Sequence, residues 1–219
     1  MSVVVITPPG PLLDLAVVKQ QLRVDSTAED DLITLYMASA QAALDGPFGF
    51  LERCIGVQTL ELRLNGFRTP IWGWGMNQTG LFWGSWTDYS SYFGAGVPLG
   101  GIDLPFPPLI SVTSVTYEDT TGATITLPSA NYLASGDGLF PAYQQVFPTG
   151  RWEPAAVKIR YQAGYATVPA SIKLAMLYMI ADAFNQRETA ITGRSVGAVE
   201  VPMTMRAEDL LRPFRVWAG

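Results

Sequence analysis

At 219 residues, with 48% hydrophobic and only 15% charged side chains, the chain is too apolar to stay disordered and long enough to bury a sizeable core. It contains no histidine, which removes Ser-His-Asp and Cys-His catalysis and most zinc sites, and its lone Cys54 excludes an intramolecular disulfide. The net charge of −5 falls entirely between Thr69 and Gly150, which carry Asp88, Asp103, Glu118, Asp119 and Asp137 and no Lys or Arg, so a basic footprint for gripping DNA is absent.

The charged fraction is well below the usual level of about a quarter. A surface hidden against partners and a compact apolar core both explain that, and composition does not separate them. No window approaches the roughly 20 apolar residues of a membrane helix. MSVVVITPPG lacks the basic flank of a signal peptide. Cys54 reads as a buried small hydrophobe, since a reactive thiolate would want a basic partner.

Residues 1–13, with Pro8, Pro9 and Pro11, read as an extended arm. The stretch from Asp14 to Asp45 reads as a helical hairpin. Asp14 caps the first helix, whose Leu15, Val18 and Leu22 fall at three- and four-residue spacing. Ser26 and Glu29 form a predicted capping box, and Glu29, Asp30 and Asp31 sit where the helix dipole favours negative charge. Ile33, Tyr36, Met37, Ala40 and Leu44 make one apolar face before Gly46-Pro47.

Residues 57–64 alternate as a strand, and Asn65-Gly66 is a turn signal. The run 67–101 holds nine aromatics interleaved with glycine, including Trp72, Trp74, Trp83 and Trp86, and reads as a loop or irregular hairpin. These aromatics either pack on their own sheet, form a contact surface between subunits, or make a sugar-stacking platform; packing with subunit contact is the favoured reading. Further strands are predicted around residues 102–109, 112–117, 123–127, 131–133 and 156–161, separated by Gly- and Pro-containing turns. Pro169 opens a long helix to about Arg187, apolar nearly all round and so in need of cover on nearly all sides. A short helix over residues 206–212 ends before Pro213. Leu210, Leu211, Phe214 and Trp217 then project with Arg206, Arg212 and Arg215, either to dock elsewhere or to fold back on their own domain.

The expected fold is α+β. An N-terminal helical hairpin (arm and hairpin, 1–56) and a long helix (169–188) form a helical body. A small antiparallel β-subdomain is inserted between them (57–168), and an extended tail follows (189–219).

Four blocks in this order resemble the head–tail connector proteins, or adaptors, of tailed phages, which also occur in gene transfer agents. They are LRVD…EDDLI, LPFPPLISVTSVTYEDTTG, WEPAAVKIRYQAGY…VP, and a tail from NQRE to LLRPFRV. The run 67–101 is longer and more aromatic than that family's usual linker. The resemblance implies a non-enzymatic subunit of a ring, typically dodecameric, that sits below the portal of the filled capsid. Such a ring extends the DNA channel toward a stopper or tail terminator and passes double-stranded DNA without specific binding. It implies a place in the virion, with assembly in the host cytoplasm, and no cofactor, metal or membrane partner. Portal contact would fall on Arg206, Leu210, Leu211, Arg212, Phe214, Arg215 and Trp217. The resemblance assigns residues 67–101 no role; ring contacts on Trp72, Trp74, Trp83 and Trp86 are expected instead from the contact-surface reading of those aromatics. Some of Asp88, Asp103, Glu118, Asp119 and Asp137 are expected to line the channel, where an acidic wall lets a polyanion slide; the competing reading is scattered solvated positions on the ring's outside. The alternative is a carbohydrate-binding module using the Trp-rich residues 71–93. An enzyme would have to rely on carboxylates, and no pair facing across a substrate is identifiable.

Overall fold

The structure, a computed structural model, describes residues 1–67, 101–186 and 205–216. It is mixed α and β and divides into two compact units. One is helical and comprises Pro8–Gln58 with Gly164–Val216; the other is built on sheets and comprises Met1–Thr7 with Thr59–Ala163.

The helical unit contains α1 (Leu15–Leu22), α2 (Asp30–Leu44), α3 (Ala170–Asn185) and α4 (Met205–Leu211), the last continued by a 3-10 turn at Arg212–Phe214. Asp14 caps α1 as expected, its carboxylate accepting the Ala16 N–H at 3.1 Å. The helix stops at Arg23, which is left-handed (φ 58°); Arg23 N donates to Gln20 O and Val24 N to Lys19 O. Those two bonds make a Schellman motif, with Val24 turned back onto the core. Helix α2 starts later than a Ser26 cap would place it. The Ser26 hydroxyl accepts the Ala28 N–H, and the N-cap residue is Glu29. Lys19 explains the shift: its ammonium bonds Ser26 O at 2.9 Å and the Asp30 carboxylate at 2.6 Å, pinning the first turn of α2 to α1.

The hairpin's apolar face is the one expected. Val18, Ile33, Met37, Ala40 and Leu44 are buried, and Leu15, Leu22 and Tyr36 pack against them. α3 contributes Ile172, Ala175, Met176 and Ile180, a stripe at helical spacing. Each fully buried Leu or Ile here contributes about 1.5–3 kcal/mol through area removed from water. Beyond α2, Asp45 organises the return of the chain. Its carboxylate accepts the N–H groups of Ile55 (2.7 Å) and Gly56 (3.2 Å) and the Gln58 side-chain amide (2.9 Å). Burial pushes its pKa up, partly offset by those hydrogen bonds. Cys54 is wholly buried beside it, and burial together with the Asp45 charge pushes the thiol up to about 12. This agrees with an inert, hydrophobe-like cysteine. Gly164 has φ +126°, and a Cβ there would lie 2.2 Å from the Gly56 carbonyl oxygen. Two backbone segments therefore cross at contact distance, closed by the bond from Tyr165 N to Ile55 O.

In the other unit, β1 (Ser2–Thr7), β2 (Gln58–Leu64), β8 (Val157–Ala163), β4 (Leu109–Glu118) and β5 (Thr124–Thr126) form a five-stranded sheet in the order β1-β2-β8-β4-β5. A second sheet has the order β3-β7-β6, with β3 Ile102–Asp103, β7 Gly138–Pro141 and β6 Tyr132–Ser135. The extended arm is thus partly a strand. Val3, Val4 and Val5 pair antiparallel with Leu62, Glu61 and Leu60, a long-range contact that converts β-branched propensity into structure. One face of the large sheet buries Leu60, Leu62, Val115, Val157, Ile159 and Tyr161. Phe67 stacks on Phe147 with centroids 4.8 Å apart and meets Tyr117 edge-on at 5.6 Å.

The other face carries a carboxylate that is only 2% exposed, Glu61. Arg63 Nε donates to it at 2.8 Å and Arg160 Nε at 2.7 Å. Burial alone would raise its pKa, but the two guanidinium groups outweigh burial and hold it below the ordinary carboxylate range. A carboxylate depressed in the folded state stabilises it above the unfolded pKa, and that contribution is lost as pH falls through the folded value. Glu61→Gln should therefore cost about 2 kcal/mol at neutral pH, discounted from a fully buried pair because both arginines are partly solvated. Urea midpoints of the two proteins should draw together as pH falls below the ordinary carboxylate range. A cost that does not change with pH would mean the pairing is not ionic.

Candidate assembly surfaces

The C-terminal segment is seated in the helical unit. Ala207 and Leu211 are fully buried, and Leu210 and Phe214 pack against the same cluster as α2 and α3. The Arg215 guanidinium lies 4.5 Å above the Phe50 ring, and Val216 N donates to Leu51 O at 3.0 Å. Of the alternatives left open by the sequence, these apolar side chains take the second: they complete their own core. A short helix preceding Pro213 satisfies its apolar face most cheaply on the uncovered side of α3. Arg206 and Arg212 stay exposed, while Trp217 lies outside the described residues.

Even with α4 in place, α3 is not covered all round. Leu174 is 38% exposed, and Val17 on α1 is 45% exposed. Between α1 and α3 lies an open groove of about 410 Å³, lined by Val17, Gln20, Gln21, Arg23 and Leu177. At the far end of α2, Phe48 is 95% exposed on a loop braced by bonds from Gly46 N to Arg53 O and from Phe50 N to Ala43 O. Arg53 is held in turn by the Tyr165 hydroxyl, to which its Nη1 donates.

The acidic residues fall in two places. Asp103 stands opposite Gly138 across β3 and β7, so it neighbours Asp137; both are exposed. Glu118 and Asp119 are consecutive at the end of β4. Asp119 is committed to the turn, its carboxylate accepting the Thr121 hydroxyl (2.6 Å) and the N–H groups of Thr121 (2.8 Å) and Ala123 (2.9 Å). The Thr121 hydroxyl, then the Ala123 N–H, keep its pKa below the ordinary value. Asp137 also has a local partner, Leu109 N at 3.2 Å. Asp88 and the four tryptophans Trp72, Trp74, Trp83 and Trp86 lie outside the described residues.

The Glu61–Arg63–Arg160 cluster was not singled out from the sequence. Alternation places Glu61 and Arg63 on one face, but nothing local marks Arg160 as their partner. Among the described residues no group of three or more His, Cys, Asp or Glu side chains could hold a metal ion, and no helix is long and apolar enough to cross a membrane.

No protein-family model matches the chain, and no curated protein matches it in sequence. Its fold is shared with chains of gene transfer agent particles. It is similar to a chain from the neck of an empty particle computed with C6 symmetry, at a TM-score of 0.64 and 19% identity, covering 100% of this chain and 99% of that one. It is similar to a chain of the virion of the native particle at a TM-score of 0.65 and 18% identity, again over 100% and 99%. A third likeness, to a chain from the neck of the native particle computed with C12 symmetry, has a TM-score of 0.57 and 17% identity over the same shares.

Proposed function

We propose that this protein is a structural, non-enzymatic subunit of a phage-like particle, and that it works as a head–tail connector. In this reading copies form a ring between the portal and the stopper or tail and extend the DNA channel. The observation that supports it is the end-to-end likeness of fold to neck chains of gene transfer agent particles. The four sequence blocks of the connector family point the same way. So does the surplus of apolar surface on α1, α3 and the Phe48 loop, which a neighbouring copy would cover. Portal contact is assigned to the exposed Arg206 and Arg212 together with Trp217, since Leu210, Leu211 and Phe214 are engaged internally.

The channel wall is assigned to the acidic positions not needed by turns, Asp103 and Glu118. Phosphate neutralisation by Lys or Arg creates salt-dependent DNA affinity, whereas an acidic wall lets DNA pass. Changing both to Lys should produce particles that retain DNA in a salt-sensitive way or eject it slowly. Normal ejection by assembled Lys particles would remove these residues from the wall. The role itself is tested by deleting the gene from a producing strain. DNA-filled heads without tails are expected; complete, infectious or transducing particles would refute it.

A further inference from the structure

The five-stranded sheet ends in β1 on one side and β5 on the other, and among the described residues neither outer edge has a partner strand. The backbone groups facing outward can be specified for β5. Asp119 N donates to Ala123 O and Leu127 N to Val115 O, at 2.9 and 2.8 Å. Hydrogen-bonded and non-hydrogen-bonded pairs alternate along an antiparallel ladder, so Ile125 opposite Tyr117 is a bonded pair. Thr124 and Thr126 therefore turn their N–H and C=O groups away from β4.

Isolated edges of this kind are normally blunted by lysine, proline or an inward-pointing charge. Neither edge carries one of these three, although β5 is only three residues long and β1 is irregular between Val5 and Thr7. β1 reads Ser-Val-Val-Val-Ile-Thr and β5 Thr-Ile-Thr, with eight of the nine residues β-branched and none charged. Ile6 and Ile125 are 41% and 38% exposed. These are strands suited to acquiring a neighbour.

We propose that β1 of one copy pairs along β5 of the next, so that the large sheet continues from subunit to subunit. Joining two different edges of one sheet is a heterologous contact, and repetition about an axis closes it into a ring. One interface then satisfies both edges of every copy, whereas pairing β1 with β1 would stop at a dimer and leave β5 open. The inference rests on the ring reading above.

The test uses cysteine pairs. Val4 shares a sheet face with Glu61, and Thr124 and Thr126 share one with Glu118 and Thr116. Glu61 bonds Arg160, which lies opposite Ser114 on that same face, so Val4, Thr124 and Thr126 all line it. Cys54 is buried, with its thiol pushed up to about 12, so it will not compete. Val4→Cys combined with Thr124→Cys or Thr126→Cys, oxidised or treated with a short bismaleimide in the assembled particle, should give a covalent ladder climbing to the ring size. Each single variant should stay monomeric on the gel. In parallel, Thr124→Pro with Thr126→Pro, which removes only outward donors, should weaken association about tenfold or more while circular dichroism is unchanged. A dimer from Val4→Cys alone, or intact rings with no ladder and no effect of proline, overturns the pairing and leaves the ring standing. A chain that never oligomerises, even with its neck partners, overturns both.

Discussion

Replacing Leu211 by alanine should lower the stability of the helical unit by about 3 kcal/mol. The side chain is fully buried, and its removal loses transfer free energy and leaves a cavity that the crossing helices cannot readily collapse. Denaturation in urea followed at the helical signal near 222 nm measures it directly. Arg206→Ala and Arg212→Ala, on the exposed side of the same segment, should stay within about 0.5 kcal/mol of the parent. Deletion of residues 203–219 removes Ala207, Leu210, Leu211 and Phe214 together, so the truncated chain should lose cooperative unfolding of the helical unit. A truncated protein as stable as the full chain would mean that the tail is free to dock elsewhere, and the seating of α4 would be wrong.

Gly164→Ala should be costlier still, about 4 kcal/mol. The backbone there has φ +126°, where an L side chain is strained, and the added carbon would meet the Gly56 carbonyl oxygen at 2.2 Å and its carbon at 2.6 Å. Both contacts are with backbone, so no side chain can swing aside to relieve them. Gly136 is the control: its φ is +57°, but a Cβ meets nothing within 4 Å, and Gly136→Asn should be nearly silent. Equal unfolding midpoints for the Gly164 and Gly136 variants would contradict the crossing of the two segments.

What the sequence made legible follows from the range of the interactions involved. The hairpin, the long helix and the alternation of 156–161 are local periodicities, and they appear where expected: Val18, Ile33, Met37, Ala40 and Leu44 inside, Ile159 and Tyr161 on the buried face. Cys54 reads from sequence as a buried small hydrophobe, and it is wholly buried. Features decided by distant partners were not readable. Three valines after Met1 look like an arm until Leu60, Glu61 and Leu62 pair with them. Ser26 and Glu29 have the spacing of a capping box, but Lys19 from the preceding helix takes Asp30 and sets the helix start. An apolar tail has the same composition whether it docks inward or outward, and the seating of Ala207 and Leu211 in the core decides it. Glu61 needed Arg160, 99 residues away.

In the proposed function, copies of this chain build a ring on a portal. Native mass spectrometry of the purified chain mixed with the portal ring of the same particle tests it most directly. The expected result is a complex in which a full closed ring of copies joins each portal ring. A chain that remains monomeric or dimeric and leaves the portal's mass unchanged would contradict it.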